Sequence, residues 1–176
     1  RQRPETLYGS SPADVARAAK LLGAAARPVV ICGGGVVISG AHEELLRLAE
    51  RLTAPVATSI SGKGSIAEAH PLAAGVVGSN GGTPETRAII DDADVIVFVG
   101  CRAGSVTTER WRHPASEKVK VIHLDIDPAV LGANYPVEAG LVGDAKLGLA
   151  ALNYALATAM RRPLNADRVQ KAKEEK

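Results

Sequence analysis

Short apolar runs alternate with amphipathic stretches along this chain, an order that predicts strands exchanging with helices. The first run, Pro28–Cys32 (PVVIC), is β-branched and free of polar residues, as a strand buried on both faces of a parallel sheet should be. Before it, Ser11-Pro12-Ala13-Asp14 supplies an N-cap serine, a proline at the first helical position and an acid in the first turn. Val15, Ala18, Leu21 and Leu22 then repeat at helical spacing. A second helical pattern runs over residues 43–52 through Leu45, Leu46, Leu48, Ala49 and Leu52. Residues 55–58 predict a second strand, residues 94–99 (DVIVFV) the strand at the sheet's centre, and residues 118–124 another. Thr83-Pro84-Glu85 opens a helix with the same grammar as Ser11. Residues 141–144 close a last short strand and cap a helix from Ala145 to about Met160. The whole predicts an α/β domain of three layers, a mainly parallel sheet with helices on both faces.

The turns carry the candidate chemistry. Gly33, Gly34 and Gly35 directly follow the first strand; without Cβ atoms they permit positive φ and close approach of backbone amides to a ligand, and a helix start favours an anion there. The same glycines also serve a strand that simply turns sharply into a helix. They are not the dinucleotide fingerprint: the third glycine of G-x-G-x-x-G would fall on Ile38, and no acid closes the following PVATS. Thr58 and Ser59, at a strand's carboxyl end, offer hydroxyls to a ligand or form an ordinary turn, and Lys63 reaches a phosphate or stays solvated. His70, before Pro71, reads as a turn residue. Residues 75–82 form a second glycine cluster, with Gly78, Ser79, Asn80 and Gly81 leading to the Thr83 cap. Residues 101–114 make a polar loop longer than a minimal connection, the kind that often carries function. Asp125, ending its strand, suits a ribose hydroxyl, while Asp127 before Pro128 suits a helix cap.

Composition narrows the class. With 176 residues the chain fits one well-buried domain, and a 46% hydrophobic content with only 3% aromatic requires a core of Val, Ile, Leu and Ala. A net charge of +2 with scattered basic residues argues against a nucleic-acid surface. No apolar run approaches the ~18 residues of a membrane span, and no signal peptide is evident, so a cytoplasmic setting is expected. Cys32 and Cys101 show neither metal-ligand spacing nor a disulfide framework and read as small core residues. The only methionine is Met160, so the chain reads as a piece of something longer, with residues 1–10 and 161–176 as linkers around a domain of residues 11–160.

The segments RPVVICGGG, PVATSISGKG, AHPLAAGVVG, DADVIVFVGCR, VIHLDIDP and VGDA follow one another in this order. Together they resemble the central domain of thiamine-diphosphate-dependent enzymes, most closely the acetolactate synthase and related decarboxylase or carboligase group. The resemblance implies a six-stranded, mainly parallel Rossmann-like sheet in a noncatalytic domain. It implies a parent enzyme that acts on a 2-oxo acid or acyl-CoA and is a homo-oligomer, with thiamine diphosphate and magnesium held by two other domains. Neither the acid-rich metal motif nor the activating glutamate of those domains is found here. In that family the central domain holds FAD in some members, ADP in others and nothing in the rest. Carried over residue by residue, the cofactor positions are Gly33, Gly34, Gly35, Thr58, Ser59, Gly78, Ser79, Asn80, Gly81, Gly100, Arg102, Asp125, Ile126 and Asp144. Where FAD-binding synthases usually continue after the arginine with an aspartate pair and another arginine, this chain has Ala103-Gly104-Ser105-Val106. Ser79 and Asn80 stand where those enzymes often have methionine and histidine. The departures fall on the flavin half of the site. A free-standing flavin or adenine-nucleotide domain is the alternative; an NAD-dependent enzyme of the sirtuin-like or dehydrogenase kind lacks a catalytic histidine and zinc cysteines.

Overall fold

A computed structural model describes residues 7–159. The predicted linker over residues 161–176 and the first six residues lie outside them, as does the expected helix end at Met160.

Side-chain alternation explains why the central strands are apolar throughout. On β1 (Pro28–Cys32), Val30 and Cys32 point into one core while Val29 and Ile31 point into the other. On β4 (Val95–Val99), Val95, Val97 and Val99 join the first core, and Ile96 and Phe98 the second. Both strands are buried at every position.

The first core lies under α1 (Pro12–Ala24), α3 (His42–Leu52) and α5 (Ala145–Ala159), which contribute Leu22, Leu48 and Leu152 among others. The second is covered by α4 (Pro84–Asp91), through Ile90, and by loop residues such as Ala103 and Tyr135. Ser11 caps α1 and Thr83 caps α4 as predicted, the latter in a reciprocal capping box with Thr86.

Every strand pairing is parallel, in the order β3-β2-β1-β4-β5-β6, with β2 Val56–Thr58, β3 Ala73–Val76, β5 Lys120–Asp125 and β6 Ala139–Val142. The chain winds outward from β1 to β3, returns to place β4 beside β1, and winds outward the other way. β1 and β4 therefore flank the switch point, outside whose carboxyl ends an open α/β sheet offers a crevice.

Two elements depart from expectation. The glycines do not lead directly into the helix over residues 43–52; they open a separate short helix, α2 (Gly34–Ser39), which ends at Gly40 in a left-handed conformation. Asp127 caps no helix: its Oδ1 accepts the Ala129 amide at 3.0 Å in a turn. No helix among the described residues is long and apolar enough to cross a membrane.

Candidate functional site

A cleft of about 710 Å³ opens at the switch point. That is within the ~300–1,000 Å³ usual for small-molecule sites. Its floor is Gly33–Gly35 and Gly100, one wall is Ser59 and Ser61, another is residues 104–107, and the far end is Asp125–Asp127 with Asp144.

The three glycines do different work from that expected. None takes positive φ. Gly33 N–H donates to the Val99 carbonyl at 2.9 Å and Gly35 N–H to the Gly100 carbonyl at 3.1 Å, so both amides are spent on the end of β4. A Cβ on Gly35 would lie 2.6 Å from the Gly100 Cα, and one on Gly33 2.6 Å from the Cys101 Cα. The glycines are required because two backbones meet there. Gly34 alone keeps an N–H without a hydrogen-bond partner among the described residues. α2, with six residues, is too short to add much of a dipole.

At the far end, Asp125 lines the cleft and its Oδ1 accepts the Asp127 amide at 3.0 Å. Asp144, 4% exposed, caps α5 by accepting the Lys146 and Leu147 amides at 3.0 and 3.2 Å, and thereby takes the place an anion would hold at that helix start. Residues 7–10 cross this end, where the Tyr8 carbonyl accepts the Asp144 amide at 2.9 Å and the Tyr8 hydroxyl donates to the Ile126 carbonyl at 3.0 Å. Arg102 lies exposed on the lining without an ion pair among the described residues. Ile38, 72% exposed, and Val106, 51%, give the cleft an apolar rim.

Of the residues singled out in the sequence, Gly33, Gly34, Gly35, Ser59, Gly100, Arg102, Asp125, Ile126 and Asp144 meet at this cleft. Thr58 does not: it lines a smaller cavity of about 290 Å³ together with Lys63, Glu68 and Thr83. Lys63 is paired there with Glu68 at 3.1 Å and stays exposed. Gly78, Ser79, Asn80 and Gly81 also lie off the cleft; the Ser79 amide donates to the Val106 carbonyl at 2.9 Å, bracing the cleft wall from behind. Leu7, Ile38, Val106 and Val130 line the cleft without having been anticipated, since isolated apolar residues in loops carry no sequence signal.

The thiols are inert here. Burial raises Cys32 far above the ordinary thiol range and pushes Cys101 up to about 11, so both are neutral at physiological pH. His123, which the sequence did not flag, is buried in β5 and donates from Nε2 to the Cys101 carbonyl at 2.7 Å, fixing the start of the cleft loop. Burial holds its pKa below the ordinary 6.5. The folded chain therefore binds fewer protons than the unfolded one just below pH 6.5, and the stability contributed by neutral His123 is lost as pH falls through that window. Thermal unfolding should show a lower midpoint at pH 5.5 than at 7.5, with at most ~1.4 kcal/mol per pH unit from this residue. His123→Gln should flatten the dependence; an unchanged slope would exclude His123 as its source.

Among the described residues, no group of three or more His, Cys, Asp or Glu side chains is placed to hold a metal ion.

A doubly wound parallel sheet with a ligand-sized cleft at its switch point defines a Rossmann-like α/β domain. Residues 15–152 match the model of the thiamine pyrophosphate enzyme central domain, and the chain belongs to that family. It is 46% identical over 144 residues to a probable acetolactate synthase large subunit of Methanocaldococcus jannaschii, an alignment covering 82% of this chain and 24% of that protein. It is likewise 46% identical over 136 residues to the corresponding protein of Methanococcus aeolicus, covering 77% and 22%. An acetolactate synthase of Arthrospira platensis is 37% identical over 143 residues, covering 77% and 24%. The chain thus spans about a quarter of the length of these curated relatives.

Proposed function

We propose that this chain is the noncatalytic central domain of an acetolactate-synthase-like, thiamine-diphosphate-dependent enzyme acting on a 2-oxo acid or acyl-CoA. Its cleft holds FAD or ADP, and its part in the enzyme is scaffolding and cofactor binding. Thiamine diphosphate and magnesium belong to two further domains of the parent chain, which packs as a homo-oligomer. The observation that carries the nucleotide reading is the convergence at one cleft of the unpartnered Gly34 amide, the unpaired Arg102 guanidinium and the Asp125 carboxylate. These are a donor and a cation for phosphate and an acceptor for ribose.

Calorimetric titration of the 176-residue chain with FAD and with ADP tests this. Saturable binding is expected, with a yellow protein if FAD is the ligand. Asp125→Ala should weaken binding about tenfold or more, the scale of a hydrogen bond to a charged group. Absence of heat with either nucleotide sinks the cofactor reading. Turnover of pyruvate by this chain with added thiamine diphosphate and magnesium would sink the noncatalytic one.

A further inference from the structure

The wall of the cleft is built in a conformation its residues do not favour. Ala103, Glu109, Arg110 and Trp111 have φ of 48°, 50°, 61° and 59°, and none is glycine. Left-handed backbone crowds a Cβ against the following carbonyl, so a run of three such residues persists only where the surroundings impose it.

The surroundings do so from one side. Arg87, on α4, donates from Nε to Glu109 Oε1 at 2.6 Å, and the Glu109 side chain is only 11% exposed. The same Oε1 lies over Gly82, where a Cβ would come within 3.1 Å of it. Gly78, itself at φ +94°, has Thr107 Cα 2.9 Å from where its Cβ would stand, and the Ser79 amide holds the Val106 carbonyl. The second glycine cluster, which the sequence offered as a ligand loop, is thus occupied with gripping residues 106–109. Inside the loop, Thr108 Oγ1 donates to the Gly104 carbonyl at 3.0 Å and accepts the Trp111 amide at 3.1 Å.

We infer that Arg87 and the Gly78–Gly82 turn form a clamp that fixes residues 104–107 as the wall of the cleft, making Arg87 a positioning residue for a ligand it does not touch. The effect on nucleotide affinity rests on the function proposed above; the clamp itself does not.

Trp111 is the only tryptophan, so its fluorescence reports the loop directly, and Arg110 beside it is a trypsin site. Arg87→Ala in the ligand-free chain should shift Trp111 emission and speed cleavage after Arg110 about tenfold. The same variant should weaken FAD or ADP binding by about tenfold, within the usual range of coupling between separated groups. Glu109→Met, which keeps the side chain's length but offers Arg87 Nε no oxygen, should reproduce both effects if Arg87→Ala fails to fold, and Arg87→Lys should restore part of each. Emission and cleavage indistinguishable from the unmodified chain in folded Arg87→Ala or Glu109→Met would overturn the clamp. A chain that binds neither nucleotide yet responds at Trp111 would remove the nucleotide reading and leave the clamp standing.

Discussion

Gly33→Ala should remove much of the folding stability of this chain. The added Cβ would press on the Gly100 carbonyl and stand 2.6 and 2.8 Å from the Cys101 Cα and Cβ, and no side-chain rotation relieves a clash with backbone. Relief requires the turn after β1 to move away from the end of β4, which breaks the Gly33–Val99 and Gly35–Gly100 hydrogen bonds. A cost above ~4 kcal/mol is expected, against the ~5–15 kcal/mol by which domains are stable. Gly35→Ala and Gly62→Ala should behave alike, the latter because its Cβ would meet the Cys32 carbonyl. Gly104→Ala, on the same cleft but with nothing within 4 Å of the new Cβ, should stay within ~0.5 kcal/mol of the unmodified chain. Urea unfolding of the four variants decides it: equal midpoints for Gly33→Ala and Gly104→Ala would refute the backbone interlock.

Phe98→Ala should cost ~3–5 kcal/mol. Phe98 is fully buried on the less protected face of the sheet, where one helix and loops replace the three helices of the other. Its ring lies 5.6 Å from both the His123 and Tyr135 rings, tilted by 48° and 36°. A cavity there loosens His123, whose bond to the Cys101 carbonyl sets the start of the cleft loop, so affinity for a cleft ligand should fall with stability. Phe98→Leu keeps most of the volume and should cost under ~1.5 kcal/mol. Thermal unfolding that ranks Leu with or below Ala would show that the aromatic contacts, rather than the filled space, are what matters.

The strands and caps were legible because their causes are local. Pro28–Cys32 and Val95–Val99 are apolar at every position, which only a doubly covered strand requires, and Ser11, Thr83 and Asp144 announce helices through their own hydrogen bonds. β3 was not legible: Ala73-Ala74-Gly75-Val76 has little strand propensity and sits half-buried at the sheet edge. Nor was α2, whose glycines and β-branched residues disfavour helix and which is shaped instead by the Gly35–Gly100 contact. The cleft could be placed from strand ends, but the duties of its glycines could not. Whether a glycine meets a ligand or another backbone depends on what lies opposite, and Gly100 is 65 or more positions away from Gly33–Gly35. The side of the sheet to which β2's pleat turns Thr58, toward the second cavity, depends in the same way on what lies opposite.

The strand order also governs how the chain comes off a ribosome. β1 gains its second neighbour only when β4 has emerged, and the Asp94 carboxylate that ties down the Arg27 amide is 67 positions downstream of it. At synthesis rates of about 5–20 residues per second, that leaves one edge of an apolar, β-branched strand without its partner for roughly 3–13 s. During nascent-chain growth the PVVIC segment is therefore the natural target for a holdase or for wrong pairing with a neighbouring chain.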